Sequence, residues 1–424
     1  MKLRRLIYLI AVFVAATLIG NLLQAGGDSR KYSENYPELV CPNVGGAQAQ
    51  VSLTTSNRLV RFLPSKNYRF FASKSTRLLT QQSSVIVQGE GTSSMAWISK
   101  AGDWAGGVNC LSAQAKQYFV GGAADVTSKS KLVVVNAGLS SSIVDVITYS
   151  EGASLKKTIN VGKNQSTSLN LVSLAPGAKS VAMQVIPRTG RVASYLVDER
   201  GKGLQSLGGD VVNSQSAPGK ILLIPGIAHS KNNKSHLLRI LNPSIASAVV
   251  TVEVLSKDGR YIPVGLDGRR VGAGKVADIV FDFDSKQSSF GLRITSDQPI
   301  AASAYSRIGK DFVWSSSVTP NVTGTWAVTG LDPIMQFIGE EINVKVTALL
   351  PGKKKISETI TGTDYVSYKV PKNSIGIRID SISKGTASAL LVTSQSGIGF
   401  LPLTNGSTLT RSTVPTANIG VLNP

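Results

Sequence analysis

The sequence is poor in the residues from which catalytic and metal sites are built. Among its 424 residues are 2 histidines, His229 and His236, and 2 cysteines, Cys41 and Cys110. A zinc site takes three or four such ligands and a supporting second shell, so neither a metal centre nor a cofactor is expected. No G-x-S-x-G elbow occurs, and no S-x-x-K with its companion motifs, which excludes two common serine-nucleophile designs. Acidic residues are also scarce, 25 against 45 basic, leaving a net charge of +20. Long apolar runs are absent after the N-terminal segment, and no later stretch keeps a 3.6-residue apolar period, so helices should be few.

Short alternating runs are plentiful, and they repeat. The phrase LRILNPSIASAVVTVEVLSKDG (238–259) echoes LVVVNAGLSSSIVDVITYSEG (132–152). Each has an apolar run, an Asn turn, an alternating run and a Gly turn. A second phrase also recurs: SFGLRITSDQPIAASAYS (289–306) matches SVAMQVIPRTGRVASYLV (180–197) and SIGIRIDSISKGTASALLV (374–392), with a fainter copy at 84–99. Tyr195, Tyr305, Leu390 and Trp97 fall at similar places in these copies. The period, about a hundred residues, is far longer than a solenoid coil or a propeller blade and reads as a whole domain. Turn residues every eight to twelve positions predict antiparallel sandwiches. The expected fold is therefore all-β: tandem immunoglobulin-like sandwiches behind an N-terminal membrane or signal helix. The expected boundaries are a membrane or signal segment 1–27, a spacer 28–42, a divergent partial module 43–114, modules 115–218, 219–320 and 321–404, and a flexible tail 405–424.

Residues 6–23 carry no charge and follow Lys2, Arg4 and Arg5. At about 1.5 Å per residue they just span a hydrocarbon core, with the basic end cytoplasmic and the body outside. A signal peptide cleaved after Gly27 is the alternative. In an oxidising compartment Cys41 and Cys110 read as one disulfide, with two free thiols as the other possibility.

Export turns the positive charge away from nucleic acid and toward an anionic envelope polymer or membrane surface, with a protein partner the other option. The candidate contacts are Lys353, Lys354 and Lys355, Arg269 and Arg270, and Lys156 and Lys157, all at or near predicted turns. Lysines at such places also protect sheet edges from aggregation. The paired carboxylates Asp282/Asp284 and Glu340/Glu341 read as solvated faces, the HSKNNKSH stretch (229–236) as a solvated loop, and VGAGKVAD (271–278) as a hairpin turn. The expected function is non-catalytic binding or scaffolding in the cell envelope. An envelope glycan- or peptidoglycan-acting enzyme and a secreted binding module remain the alternatives.

Cys41-Pro42, Cys110, YFVGG (118–122), LRILNP and PIAASAY occur in an order that resembles an uncharacterised family of exported actinobacterial proteins, domain of unknown function 5719. The resemblance covers about 41–402 and implies export and β-modules. It transfers no activity and no catalytic residue. Asn136-Ala137 departs from the family's Asn-Pro, and the last copy lacks the Asn.

Overall fold

A computed structural model describes residues 2–24, 32–65, 67–215, 217–408 and 410–413. Strands make up 58% of it, beside one α-helix, so the all-β expectation holds. The helix, Lys2–Gln24, carries the uncharged run, and its described side chains, 7–19, are exposed on every face. Among the described residues no helix is long and apolar enough to cross a membrane. The site of cleavage after Gly27 lies outside the described residues. The chain divides into two units, 1–36 with 409–424, and 37–408. In the first, Tyr32–Asn35 pairs antiparallel with Thr410–Thr413, inside the stretch expected to be a flexible tail; residues 414–424 lie outside the described residues.

Unit 37–408 is four copies of one connectivity. In the second copy the eight strands are Gln117–Val120, Lys131–Asn136, Ser142–Tyr149, Leu155–Val161, Gln165–Asn170, Ala182–Pro187, Ala193–Lys202 and Gln205–Val212. They form two four-stranded sheets, ordered 1-6-3-4 and 5-2-7-8. The other copies keep this order. In the third, strands six and seven run together as Ser289–Ile308; in the fourth, two and three fuse as Pro333–Leu349 and four and five as Lys355–Lys369. The first copy is complete rather than partial, and its opening strand, Leu39–Cys41, lies in the stretch expected to be spacer. The turn 271–275 also differs from expectation. It leads from Arg269–Val271 in one sheet to Lys275–Asp282 in the other, so it is a crossover and not a hairpin.

The copies do not follow one another as tandem immunoglobulin-like sandwiches. They close into a four-bladed, propeller-like ring, each blade a pair of sheets. The 1-6-3-4 sheet of one blade packs on the 5-2-7-8 sheet of the next: Tyr118, Val120 and Tyr149 meet Leu241, Val276 and Ala301, and Leu223 and Leu255 meet Ile338, Ala389 and Leu391. The last blade closes on the first through Trp326 and Val328 against Met95 and Trp97. A head-to-tail contact repeated with a closing rotation makes a ring. It also explains the recurrent small-residue strand. The seventh strand is buried on both faces, as in Ala193–Lys202 and Ala387–Ser394, and Ala and Ser there let neighbouring sheets approach. Period-two alternation with one wet face fits the outer strands better, as in Lys275–Asp282.

The eighth strands, Trp104–Asn109, Gln205–Val212, Asp311–Ser316 and Gly397–Pro402, pack against one another in a closed cycle at the centre. Their glycines are steric necessities: a Cβ on Gly399 would lie 2.5 Å from the Gly107 nitrogen. Asp311 pins this hub. It accepts from the Ala105 N–H at 3.2 Å and the Gly209 N–H at 3.0 Å, and the Phe312 and Ile398 N–H groups also bond it. Strands from all four blades thus meet at one carboxylate. Burial pushes its pKa up to about 6, the backbone donors offsetting only part of that. Asn213 adds a second pin, donating to the Gly107 and Phe400 carbonyls at 2.9 and 2.8 Å.

The echoed asparagines have a shared purpose. Asn242 Nδ2 donates to the carbonyls of Ala246, Val271 and Gly272, and Asn136 Nδ2 to those of Ser140, Val161 and Gly162. Each ties the turn after strand two to the end of strand four. In the fourth blade strands two and three are continuous, so there is no such turn to tie.

Candidate functional site

The three basic clusters singled out in the sequence all fall on or beside the fourth strand of a blade, the lysines toward its start and the arginines toward its end. Lys156 and Lys157 lie on the fourth strand of the second blade, Arg269 and Arg270 on that of the third, and Lys353, Lys354 and Lys355 on the turn entering that of the fourth. The fourth strand is the outer edge of its sheet, and all seven side chains are exposed. Lys156 is partly spent on Asp145, with Nζ at 2.9 Å from the carboxylate. The other six make no ion pair among the described residues. Unpaired cations on an edge strand deter strand addition and also line the ring's rim with positive potential.

Of the three, the Lys353–Lys355 cluster lines a cavity. A cleft of about 420 Å³ opens at the seam where the last blade meets the first, and its described lining contains no carboxylate. Leu349, Leu350 and Ile375 form an apolar floor; Thr54, Thr55, Thr92 and Thr325 bring hydroxyls. None of these four hydroxyls has a hydrogen-bond partner among the described residues. The cleft exists because the ring closes: Thr92 and Thr325 are register partners in a parallel strand pair between the two blades. Nearby, Thr329 O accepts from Gln50 Nε2 at 3.2 Å and Ser52 Oγ at 2.9 Å. Gly352 and Lys353 both hold positive φ, 71° and 62°. For a lysine that is an uncommon backbone state, and here it presents consecutive ammonium groups at the cleft's mouth.

Two other cavities carry opposing charge. One of about 470 Å³ between the third and fourth blades is crossed by Arg260–Asp364 at 2.7 Å and Arg293–Glu340 at 2.9 Å. Another of about 880 Å³ on the third blade sets Lys231, Lys234, Lys257 and Lys286 beside Asp258 and Asp284. A third, of about 430 Å³, has Lys116 as its one charged residue, whereas the lysine cleft at the seam gathers three cations and no acid in its described lining.

The histidines are not in a solvated loop. They are buried at the ends of facing strands, His229 Nδ1 at 3.1 Å from His236 Nε2, among Phe281, Phe283 and Phe290. His229 Nε2 lies 3.1 Å from the Ser285 carbonyl and His236 Nδ1 2.9 Å from Ser306 Oγ. One neutral chain of donors satisfies this set: Ser306 to His236, His236 to His229, His229 to Ser285. Burial first, then the neighbouring ring, lowers the pKa of His236 to about 4. The apolar residues interleaved with 281–283 carried the hint of this core. Asp282 and Asp284 do face solvent, as do Glu340 and Glu341. The buried carboxylates Asp198, Asp210 and Asp311 belong to the central packing: Asp198 accepts from Ser130 Oγ and Trp314 Nε1, and Asp210 from the Trp314 N–H. No group of three or more metal-ligating side chains occurs among the described residues.

Cys41 and Cys110 form the disulfide. It joins the first strand of the first blade to the end of its eighth, and so ties the blade's two sheets together. Val40 and Leu111 exchange backbone hydrogen bonds beside it at 2.9 and 3.0 Å.

A closed ring of paired-sheet blades, with a basic rim and one disulfide, defines an all-β repeat protein. The chain belongs to the family of unknown function DUF5719, whose sequence model matches residues 72–361. No curated protein matches it. Among solved structures, a tetra-tandem repeat from the extending region of a large adhesion protein aligns over 87% of this chain and 92% of its own, at 11% identity and a TM-score of 0.13. A likeness that slight carries no argument about fold or function.

Proposed function

We propose that the protein is a membrane-tethered, extracytoplasmic and non-catalytic ring that binds an anionic polymer of the cell envelope at the lysine cleft. The observation that carries this reading is the cleft itself: Lys353, Lys354 and Lys355 beside four threonine hydroxyls, with no carboxylate in the described lining. Lysine acts on phosphate or carboxylate as a point charge, and hydroxyls add neutral hydrogen bonds. Tethering is supported by a helix whose described side chains are apolar or uncharged and exposed all round, the pattern of a segment that needs a non-aqueous neighbour. The disulfide supports an oxidising compartment.

The test is co-sedimentation of the full chain, in mild detergent, with purified cell-wall sacculi at low and raised salt. Replacing the three lysines by glutamine should weaken binding at least about tenfold, since each basic residue near an anionic surface is worth about 1 kcal/mol. Wild-type binding should also outlast a salt concentration that releases the variant. Equal binding by the two proteins, or equal release by salt, would reduce the charge to general surface attraction and sink the proposal.

A further inference from the structure

We propose that the turn 261–268, on the outer edge of the third blade, is a membrane-docking finger whose apolar tip enters the interface of an anionic lipid bilayer. It interrupts the blade's fourth strand, which resumes on either side as Gly259–Tyr261 and Arg269–Val271, both paired with Ala248–Ser256. The tip is apolar and uncovered: Val264 is 104% exposed, and Tyr261 and Ile262 are each 45% exposed.

The base is built and not slack. Leu266 is buried and receives the Val252 N–H on its carbonyl at 3.0 Å, while its own N–H reaches Pro263 O at 3.1 Å. Thr251 Oγ1 donates to Asp267 at 2.7 Å. Gly265 and Gly268 take φ of 80° and 63°, the left-handed turns that let so short a loop fold back. A rigid base holding three apolar side chains in water is costly unless something covers them.

Charge identifies the cover. Arg269 and Arg270 flank the tip with no ion pair among the described residues, Arg260 is paired with Asp364, and Asp267 is the turn's one acid. An apolar, tyrosine-bearing tip beside two unpaired cations matches the boundary of an anionic bilayer, where apolar groups and Tyr are buried shallowly and arginines meet lipid phosphates. The inference rests on the proposed tethering for access to a bilayer, and not on the lysine cleft.

The full chain is reconstituted with vesicles of a zwitterionic lipid, alone or containing an anionic one, and labelled with an environment-sensitive thiol dye at V264C. With anionic vesicles the dye's emission should shift to the blue and be quenched by bilayer-borne quenchers; with zwitterionic vesicles it should do neither. Adding R269Q and R270Q should lower the inserted fraction's equilibrium constant about thirtyfold, from about fivefold per arginine. The comparison site is L204C, 106% exposed on the second blade, which should stay in water. A dye that stays wet on both vesicles, equal shifts at the two sites, or a chain that floats with neither vesicle overturns the finger. Failure of the cleft would appear separately, in the lysine variant's binding to sacculi.

Discussion

Replacing Asp311 by alanine should cost the ring about 3–5 kcal/mol, read as a lowered urea midpoint for the full chain. The carboxylate accepts the N–H groups of Ala105 and Gly209, on the eighth strands of the first and second blades, from its own position on that of the third. It also receives the Ile398 N–H from the fourth. Alanine leaves these buried donors without an acceptor, at a point packed so closely that a Cβ on Gly397 would lie 2.0 Å from Asp311 Oδ2. The penalty should depend on pH. Asp311 titrates near 6 in the folded chain, against about 3.9 unfolded. Protonation therefore favours folding: that contribution is whole below about pH 4 and is lost as pH rises through about 6. The gap between wild type and D311A should accordingly widen as pH falls from 7 to 5. An unchanged midpoint would mean that the hub does not depend on its central carboxylate.

The second large effect is expected at the disulfide. Cys41 and Cys110 are 69 residues apart, and closing a loop of that length stabilises a fold by about 4 kcal/mol in the chain-entropy model. Replacing both cysteines by alanine should lower the unfolding midpoint by a corresponding amount. The bond ties together the two sheets of the first blade, and that blade supplies Thr54, Thr55 and Thr92 to the lysine cleft. The double variant should therefore lose binding to sacculi at denaturant concentrations where the wild type retains it. A stability change below about 1 kcal/mol would place most of the blade's cohesion in its core instead.

Much of the blade was legible in the sequence, and the ring was not. Alternation and turn spacing mark most strands, because those on the rim keep one wet face, as Lys275–Asp282 does. The repeated phrases mark the copies, because the second and third blades share an asparagine tie after strand two and strand seven uses small residues where neighbouring sheets pack. Closure left weaker traces. The eighth strands share glycines, in WAGGVN, QSLGGDVV and GIGFLP, yet a glycine in a strand reads locally as a turn or bulge. Only the packing of four strands around one axis shows why a side chain is forbidden there. The fused strands of the fourth blade removed the asparagine that would have marked its boundary, and the faint copy at 84–99 hid a complete first blade.

The basic clusters were legible as residues but not as a set. That all three lie on or beside a fourth strand depends on a sheet order that leaves that strand at the outer edge of each blade. The threonines of the cleft carry no signal of their own: Thr54 and Thr92 belong to the first blade and Thr325 to the fourth. His229 and His236 misled for a related reason. The polar residues between them do form an exposed loop, while the histidines at its two ends turn inward.

The lysine cleft exists only if the first and last blades meet, so closure is the claim on which the rest depends. Thr92 and Thr325 are paired neighbours in the closed ring although more than two hundred residues separate them in sequence. With cysteines placed at both positions in the full chain, mild oxidation or a short thiol cross-linker should join them within single molecules. Mass spectrometry of the digest should then recover one peptide pair linking 92 to 325. If those cysteines remain unlinked while the Cys41–Cys110 bond is intact, the blades lie as separate beads and the cleft does not form.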